Sequence, residues 1–229
     1  PKCVGKTFPD YFPVFLAVTK AAPVIAIDGP SASGKGTVAA RVAAALGCGY
    51  LDSGAIYRLT ALAAQRAGLA WDDENGVATV AAALDVVFSE GVVKLGGEDV
   101  TEAIRSEAIS SGASQVAALP AVREALLFRQ RAFATLPGLV ADGRDMASVV
   151  FPQAVLKVFL TATPEIRAER RHRQLLAAGV AADLAAIVAD LKARDARDTG
   201  RAVAPLRQEE GAQLLDTTGL GIDAAVNQV

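Results

Sequence analysis

Gly29-Pro30-Ser31-Ala32-Ser33-Gly34-Lys35-Gly36-Thr37 is the stretch on which the reading of this chain turns. An apolar run, Pro23-Val24-Ile25-Ala26-Ile27-Asp28, stands directly before it, and Val38-Ala39-Ala40-Arg41-Val42-Ala43-Ala44-Ala45-Leu46 directly after. The order is strand, tight loop, helix, the setting a phosphate-binding loop requires. Glycines let successive N–H groups turn inward, and the helix N-terminus adds the positive end of its dipole. Lys35 then reaches the terminal phosphates as a point charge. Gly36 holds the slot where Ser or Thr is usual, and the hydroxyl comes one residue later, at Thr37. A ligand-free glycine-rich turn is the competing reading, and Lys35 with both flanks weighs against it.

The whole chain, 229 residues with 52% hydrophobic content, accommodates one α/β core with a small inserted or appended subdomain. A net charge of −2 leaves no basic footprint for nucleic acid. Arginines outnumber lysines sixteen to seven, which suits bidentate phosphate binding. Cys3 and Cys48 make neither a disulfide framework nor a metal knuckle, and Cys48 reads as a small buried hydrophobe. With His172 the single histidine, in an Arg-rich helix, His-based metal sites and Ser-His-Asp hydrolysis lose their footing. A monomeric cytoplasmic enzyme is the expectation. Residues 1–22 stand apart. Their apolar run, Tyr11 to Val18, is too short for a bilayer and is broken by Pro13, so no membrane attachment is expected. A signal-peptide reading with Lys2 and Lys6 ahead of the run competes with a disordered or loosely docked extension. Asp10 and the prolines favour the extension.

Along the rest of the chain, Tyr50-Leu51 reads as a short strand, and Asp52-Ser53-Gly54 caps a helix over Ala55–Ala67. Val86-Val87-Phe88, Val92 to Leu95 and the approach to Val100, parted by glycine turns, read as a small antiparallel insertion. Helices are expected over Thr101–Leu119 and Ala121–Thr135. Leu139–Asp142 and Val155–Leu160 read as buried strands, Thr163-Pro164-Glu165 opens a helix, and Asp183–Ala196 is another. Leu214-Leu215-Asp216 is a fifth main strand, and a closing helix starts at Ile222. The expected fold class is α/β: a phosphate-loop core of five parallel strands with helices on both faces.

Ser53 at a helix start offers donors to an anion, and Arg58 follows on the same helix, although an ordinary capped helix explains both. Asp142, ending an apolar strand in Ala141-Asp142-Gly143-Arg144-Asp145, can organise Mg²⁺ directly or through water; a salt-bridged turn is the alternative. In Arg194-Asp195-Ala196-Arg197-Asp198-Thr199-Gly200-Arg201, the three arginines at i, i+3 and i+7 are expected on one helical face. Asp198 is expected to orient Arg194, and Thr199-Gly200 to loosen the helix as the hinge of a moving lid. A solvated charged face competes with that reading. Arg167, Arg170 and Arg171 share a face, and one of them is expected to touch ATP.

Taken together, Gly29-Pro30-Ser31-x-x-Gly34-Lys35-Gly36-Thr37, Leu51-Asp52-Ser53-Gly54-Ala55-Ile56-Tyr57-Arg58, Ala141-Asp142-Gly143-Arg144-Asp145-Met146 and Arg194-Asp195-x-x-Asp198-x-x-Arg201-Ala202-Val203-Ala204-Pro205-Leu206 closely resemble the bacterial cytidylate kinases. The resemblance runs from about Pro23 onward. One departure is Ala32-Ser33, where many relatives carry another glycine. The resemblance implies transfer of a phosphoryl group from ATP, with Mg²⁺, to CMP or dCMP. It implies ATP binding at Gly29, Pro30, Ser31, Ala32, Ser33, Gly34, Lys35, Gly36 and Thr37, with Mg²⁺ near Thr37 and Asp142. It puts the acceptor nucleotide at Ser53, Arg58, Ser114, Arg123, Arg144, Asp145, Arg194, Asp198 and Arg201, with Lys35, Arg144, Arg194 and Arg201 catalytic. It also implies a nucleoside-monophosphate insertion over about residues 76–119 and a lid over about 180–205, within one domain spanning 23–229.

Such chemistry needs no base, because an acceptor phosphate is already anionic at neutral pH. A small-molecule kinase acting on a hydroxyl, as shikimate-type kinases do, would need a base and a smaller acceptor region. A GTPase-like switch finds an Asp-x-x-Gly in Asp216-Thr217-Thr218-Gly219, but too late in the chain, and no Asn-Lys-x-Asp occurs. A nucleotide-binding module without activity stays open at the level of sequence.

Overall fold

The computed structural model describes residues 22–89 and 91–229. The expected extension and Cys3 therefore lie outside the described residues, apart from Ala22. Strand β1 (Val24–Asp28) is buried along its length and occupies the centre of a five-stranded, all-parallel sheet. Around it lie β2 (Gly49–Asp52), β6 (Leu139–Gly143), β7 (Leu156–Thr161) and β8 (Gln213–Asp216), in the order β2-β6-β1-β7-β8. Because side chains alternate along a strand, Val24 and Ala26 enter the core on one face while Ile25 and Ile27 enter that on the other. Helices α1 (Lys35–Leu46) and α8 (Ile222–Gln228) cover the second face.

The first face is covered by α2 (Ser53–Arg66), α3 (Glu74–Ala82), α4 (Glu107–Val116) and α5 (Pro120–Arg131). A separate antiparallel sheet, β3 (Val86–Ser89), β4 (Val92–Leu95) and β5 (Glu98–Asp99), projects from this layer. Helices α6 (Pro164–Ala177) and α7 (Leu184–Gly200) share a small cluster of their own, built on Ala168, Ile187 and Leu191.

Three expectations need correction. The segment Thr101–Leu119 is not one helix: a 3₁₀ turn over Ala103–Arg105 ends at Ser106, whose hydroxyl caps α4 by accepting from Ile109 N. Helix α3 is an element the sequence reading left out, although Asp73 caps it by accepting from Gly76 N. Helix α7 runs unbroken through Thr199 and Gly200, and the chain leaves it at Arg201, which is extended (φ −60°, ψ 136°). Arg201 therefore does not continue the face of Arg194 and Arg197.

Candidate active site

The sheet order carries the ends of β1, β6 and β2 to one edge, where Asp52 is paired in register with Asp142 and Ile27 with Asp142 on the other side. Ligands of open α/β sheets gather beyond these carboxyl ends. The loop after β1 turns back through Gly29, where a Cβ would sit inside the van der Waals envelope of Leu160 O, so no larger residue fits. Gly34, left-handed at φ 94°, starts α1 without any side-chain cap. The first N–H groups of α1 thus keep their capacity for an anion. Ala32 is left-handed too, at φ 58°, a conformation in which a Cβ costs about 1–2 kcal/mol.

Two other termini are set by local chemistry. Asp52 caps α2 by accepting from Ala55 N at 2.9 Å, and its other oxygen takes Arg58 Nη2 at 2.8 Å. Asp28, buried at the end of β1, accepts from Met146 N and Ala147 N, both at 2.8 Å. That pair of bonds fixes the single π-helical turn Met146–Val150 and with it the approach of Arg144 and Asp145. Gly143 leaves room for Ser53, whose hydroxyl would lie 2.5 Å from any Cβ at that position.

One open crevice of about 1340 Å³ gathers these pieces. Ser31, Ala32, Gly34, Lys35, Gly36 and Thr37 line it, as do Asp142, Ser53, Arg58, Ser114, Arg123, Arg144, Asp145, Arg194, Asp198 and Arg201. Gly29, Pro30 and Ser33 are buried behind that lining. The side chains within are strongly paired. Arg144 donates through Nε to Asp198 (2.8 Å) and through Nη2 to the Ser31 hydroxyl (2.8 Å), and Arg201 is paired with the same Asp198. Arg123 is buried, bonded to Ala117 O at 3.1 Å and paired with Asp145, with its guanidinium 5.9 Å from the Tyr57 ring centre. Arg58 and Arg201 each keep a buried Nε with no protein acceptor among the described residues.

Two sequence expectations are redrawn by this geometry. Asp198 orients Arg144 and Arg201 rather than Arg194. Arg194 pairs instead with Asp190 and reaches across the crevice to Glu107, which also takes Arg171 at 2.9 Å. Glu107 escaped the sequence reading because it lies 87 residues from Arg194. Of Arg167, Arg170 and Arg171 on α6, the first two hold carbonyls of the glycine-rich loop: Ser31 O and Ser33 O, each at 3.0 Å. His172 is partly buried and meets Ala182 O at 3.1 Å.

Burial and then the Arg144 charge bring the Lys35 ammonium down to about 8. Burial, reinforced by Asp52, raises the Asp142 carboxyl to about 7, while Tyr50 donates to it at 3.0 Å. Burial would also raise Asp198, but the Arg144 and Arg201 guanidiniums outweigh it and hold that carboxyl below its usual range. Among the described residues no cluster of three or more His, Cys, Asp or Glu side chains is gathered for a metal. The Asp142 carboxylate beside Gly36 and the Thr37 hydroxyl are hard oxygen donors lining the crevice, a set that fits a hydrated Mg²⁺ brought in with phosphates. No helix among the described residues is long and apolar enough to cross a membrane.

Residues 25–229 match the family model described as cytidylate kinase. A curated cytidylate kinase from Chromobacterium violaceum is 64% identical over 207 residues, covering 90% of this chain and 93% of the relative. Cytidylate kinases from Neisseria meningitidis serogroup A and Bordetella pertussis are 59% and 58% identical, covering 90% and 93% of this chain and 94% and 96% of the relatives. A crystal structure from Thermus thermophilus superposes with a TM-score of 0.44 at 20% identity, covering 90% of this chain and 93% of that one.

Proposed function

Because the chain belongs to the cytidylate kinase family, we propose that it transfers the γ-phosphoryl group of ATP to CMP or dCMP, giving ADP and CDP or dCDP. The observation that carries this reading is the single crevice, which the glycine-rich loop shares with all nine residues expected to hold the acceptor. Lys35 and the uncapped N–H groups of α1 hold the donor phosphates. Asp142 and Thr37 are the residues that would hold Mg²⁺, which when bound would supply charge neutralisation for the donor phosphates.

Ser53, Arg58 and Arg144 hold the acceptor phosphate, whose second ionisation, at about pH 6, leaves it mostly dianionic at neutral pH, so no residue need remove a proton. The spare Nε donors of Arg58 and Arg201 suit an anion entering between them. Arg123 is spent on Asp145 and lies over Tyr57, so we place it with the base rather than with the phosphate. Asp145, thus oriented, accepts from the cytosine amino group, and Ser114, whose hydroxyl accepts from Arg197 Nε at 3.0 Å, lines the same crevice. Residues 76–119 form the acceptor-side subdomain and 180–205 the lid, whose closure with Arg194 and Arg201 excludes water from the transfer. Positioning and charge stabilisation then carry the rate. With γ-labelled ATP and CMP, the label is expected in the β-phosphate of CDP. Label found only in inorganic phosphate would refute the assignment.

A further inference from the structure

Helix α7 presents Ile187, Leu191, Asp195 and Asp198 at i, i+4, i+8 and i+11, one stripe of a 3.6-residue period. That stripe is tied to the glycine-rich loop, its apolar end by packing and its carboxylates through two arginines. Ala32 packs against the cluster of Ile187 and Leu191. Asp198 is joined through Arg144 to the Ser31 hydroxyl. Between them, Asp195 takes both Nη atoms of Arg167, at 3.1 and 2.5 Å, while Arg167 donates to Ser31 O at 3.0 Å and, through Nε, to Ala162 O at 3.1 Å.

Arg167 is only 3% exposed, lies outside the lining of the crevice and has every guanidinium nitrogen engaged, so it is not available to a nucleotide. Its planar fork instead fixes two things at once: the carbonyl that shapes the loop, and the carboxylate in the middle of the lid helix. We propose that Arg167 is a positioning residue which, with Asp195, makes the shape of the donor loop and the position of the lid a single equilibrium. Nucleotide in the loop then favours the lid position that aligns Asp198, Arg144 and Arg201 for the acceptor. By linkage, acceptor binding strengthens donor binding by the same factor.

This rests on the donor and acceptor assignments above, and the test separates the two. On the full chain, the Kd of CMP is measured with and without a non-hydrolysable ATP analogue and Mg²⁺, in wild type, Asp195→Asn, Arg167→Lys and the double variant, alongside kcat. Wild type is expected to show coupling of about fivefold or more, within the usual range for linked sites. In each single variant the coupling should fall to within about twofold of unity and kcat by about tenfold, while analogue affinity without CMP changes less than about threefold. The double variant should fall no further than the worse single. Coupling within twofold of wild type in the variants, or absent from wild type, would overturn the proposal. So would lost coupling accompanied by lost binary analogue binding, because the pair would then merely build the loop. Failure of wild type to bind CMP at all would instead count against the functional assignment.

Discussion

Lys35 shows how far one residue's environment governs the chemistry. Burial and Arg144 hold its ammonium near 8 in the free enzyme, and donor phosphates would raise it again. The kcat/KM for ATP, which reports the free enzyme, should therefore fall above about pH 8, while kcat stays level there. Parallel profiles would show that Lys35 does not govern donor binding. Arg201 gives a second test. Its side chain is buried in the wall of the crevice and held by Asp198, so Arg201→Ala should lower kcat about 10²–10³-fold with little change in ATP affinity; steady-state kinetics at varied ATP decides it. These residues were legible in the sequence because their spacing is short and chemically unusual. The Arg194–Glu107 and Arg123–Asp145 pairings were not, because their partners are supplied by other elements through tertiary packing.

At the scale of elements, Asp28 is the clearest case of a carboxylate kept to build a terminus. Burial raises it to about 6 although two backbone N–H groups favour its charge. A folded pKa above the unfolded value means that the folded state binds the proton more tightly. The associated stability is present below about pH 4 and lost as pH rises through about 6, some 3 kcal/mol in all. The stability of Asp28→Asn relative to wild type should therefore rise across that window and level off above it. Paired denaturant titrations at several pH values measure this, and a constant difference would contradict it.

Packing of α2 and α4 depends on Gly112, where a Cβ would lie 2.5 Å from the Trp71 ring while the indole donates to Ala61 O at 3.0 Å. Gly112→Ala should cost about 1–3 kcal/mol in the same assay. Strands and capped helices such as Thr163-Pro164 were readable from pattern. Helix α3 was missed because Val77, Ala78, Val80 and Ala81 give little polar contrast, and Thr101–Leu119 was overextended because Ser106 reads equally well as an interior residue.

At the scale of the molecule, three apolar clusters explain the division of labour. Two sandwich the parallel sheet, while α6 and α7 rest on a third, much smaller one. The small cluster gives α7 little apolar area of its own, so its ion pairs, Asp198 with Arg144, Asp195 with Arg167 and Arg194 with Glu107, set much of its position. The fold class followed from the alternation of strand and helix around one loop. The crevice that unites the proposed donor and acceptor residues could not be read that way, because residues from 31 to 201 meet only once the sheet has formed. The most direct test of the account is ADP release from Mg-ATP by the full chain, with CMP, dCMP, UMP, AMP or shikimate as acceptor. CMP and dCMP should drive turnover well above all others, with AMP and shikimate at the no-acceptor background; equal or faster release with shikimate, or none with CMP and dCMP, would contradict it.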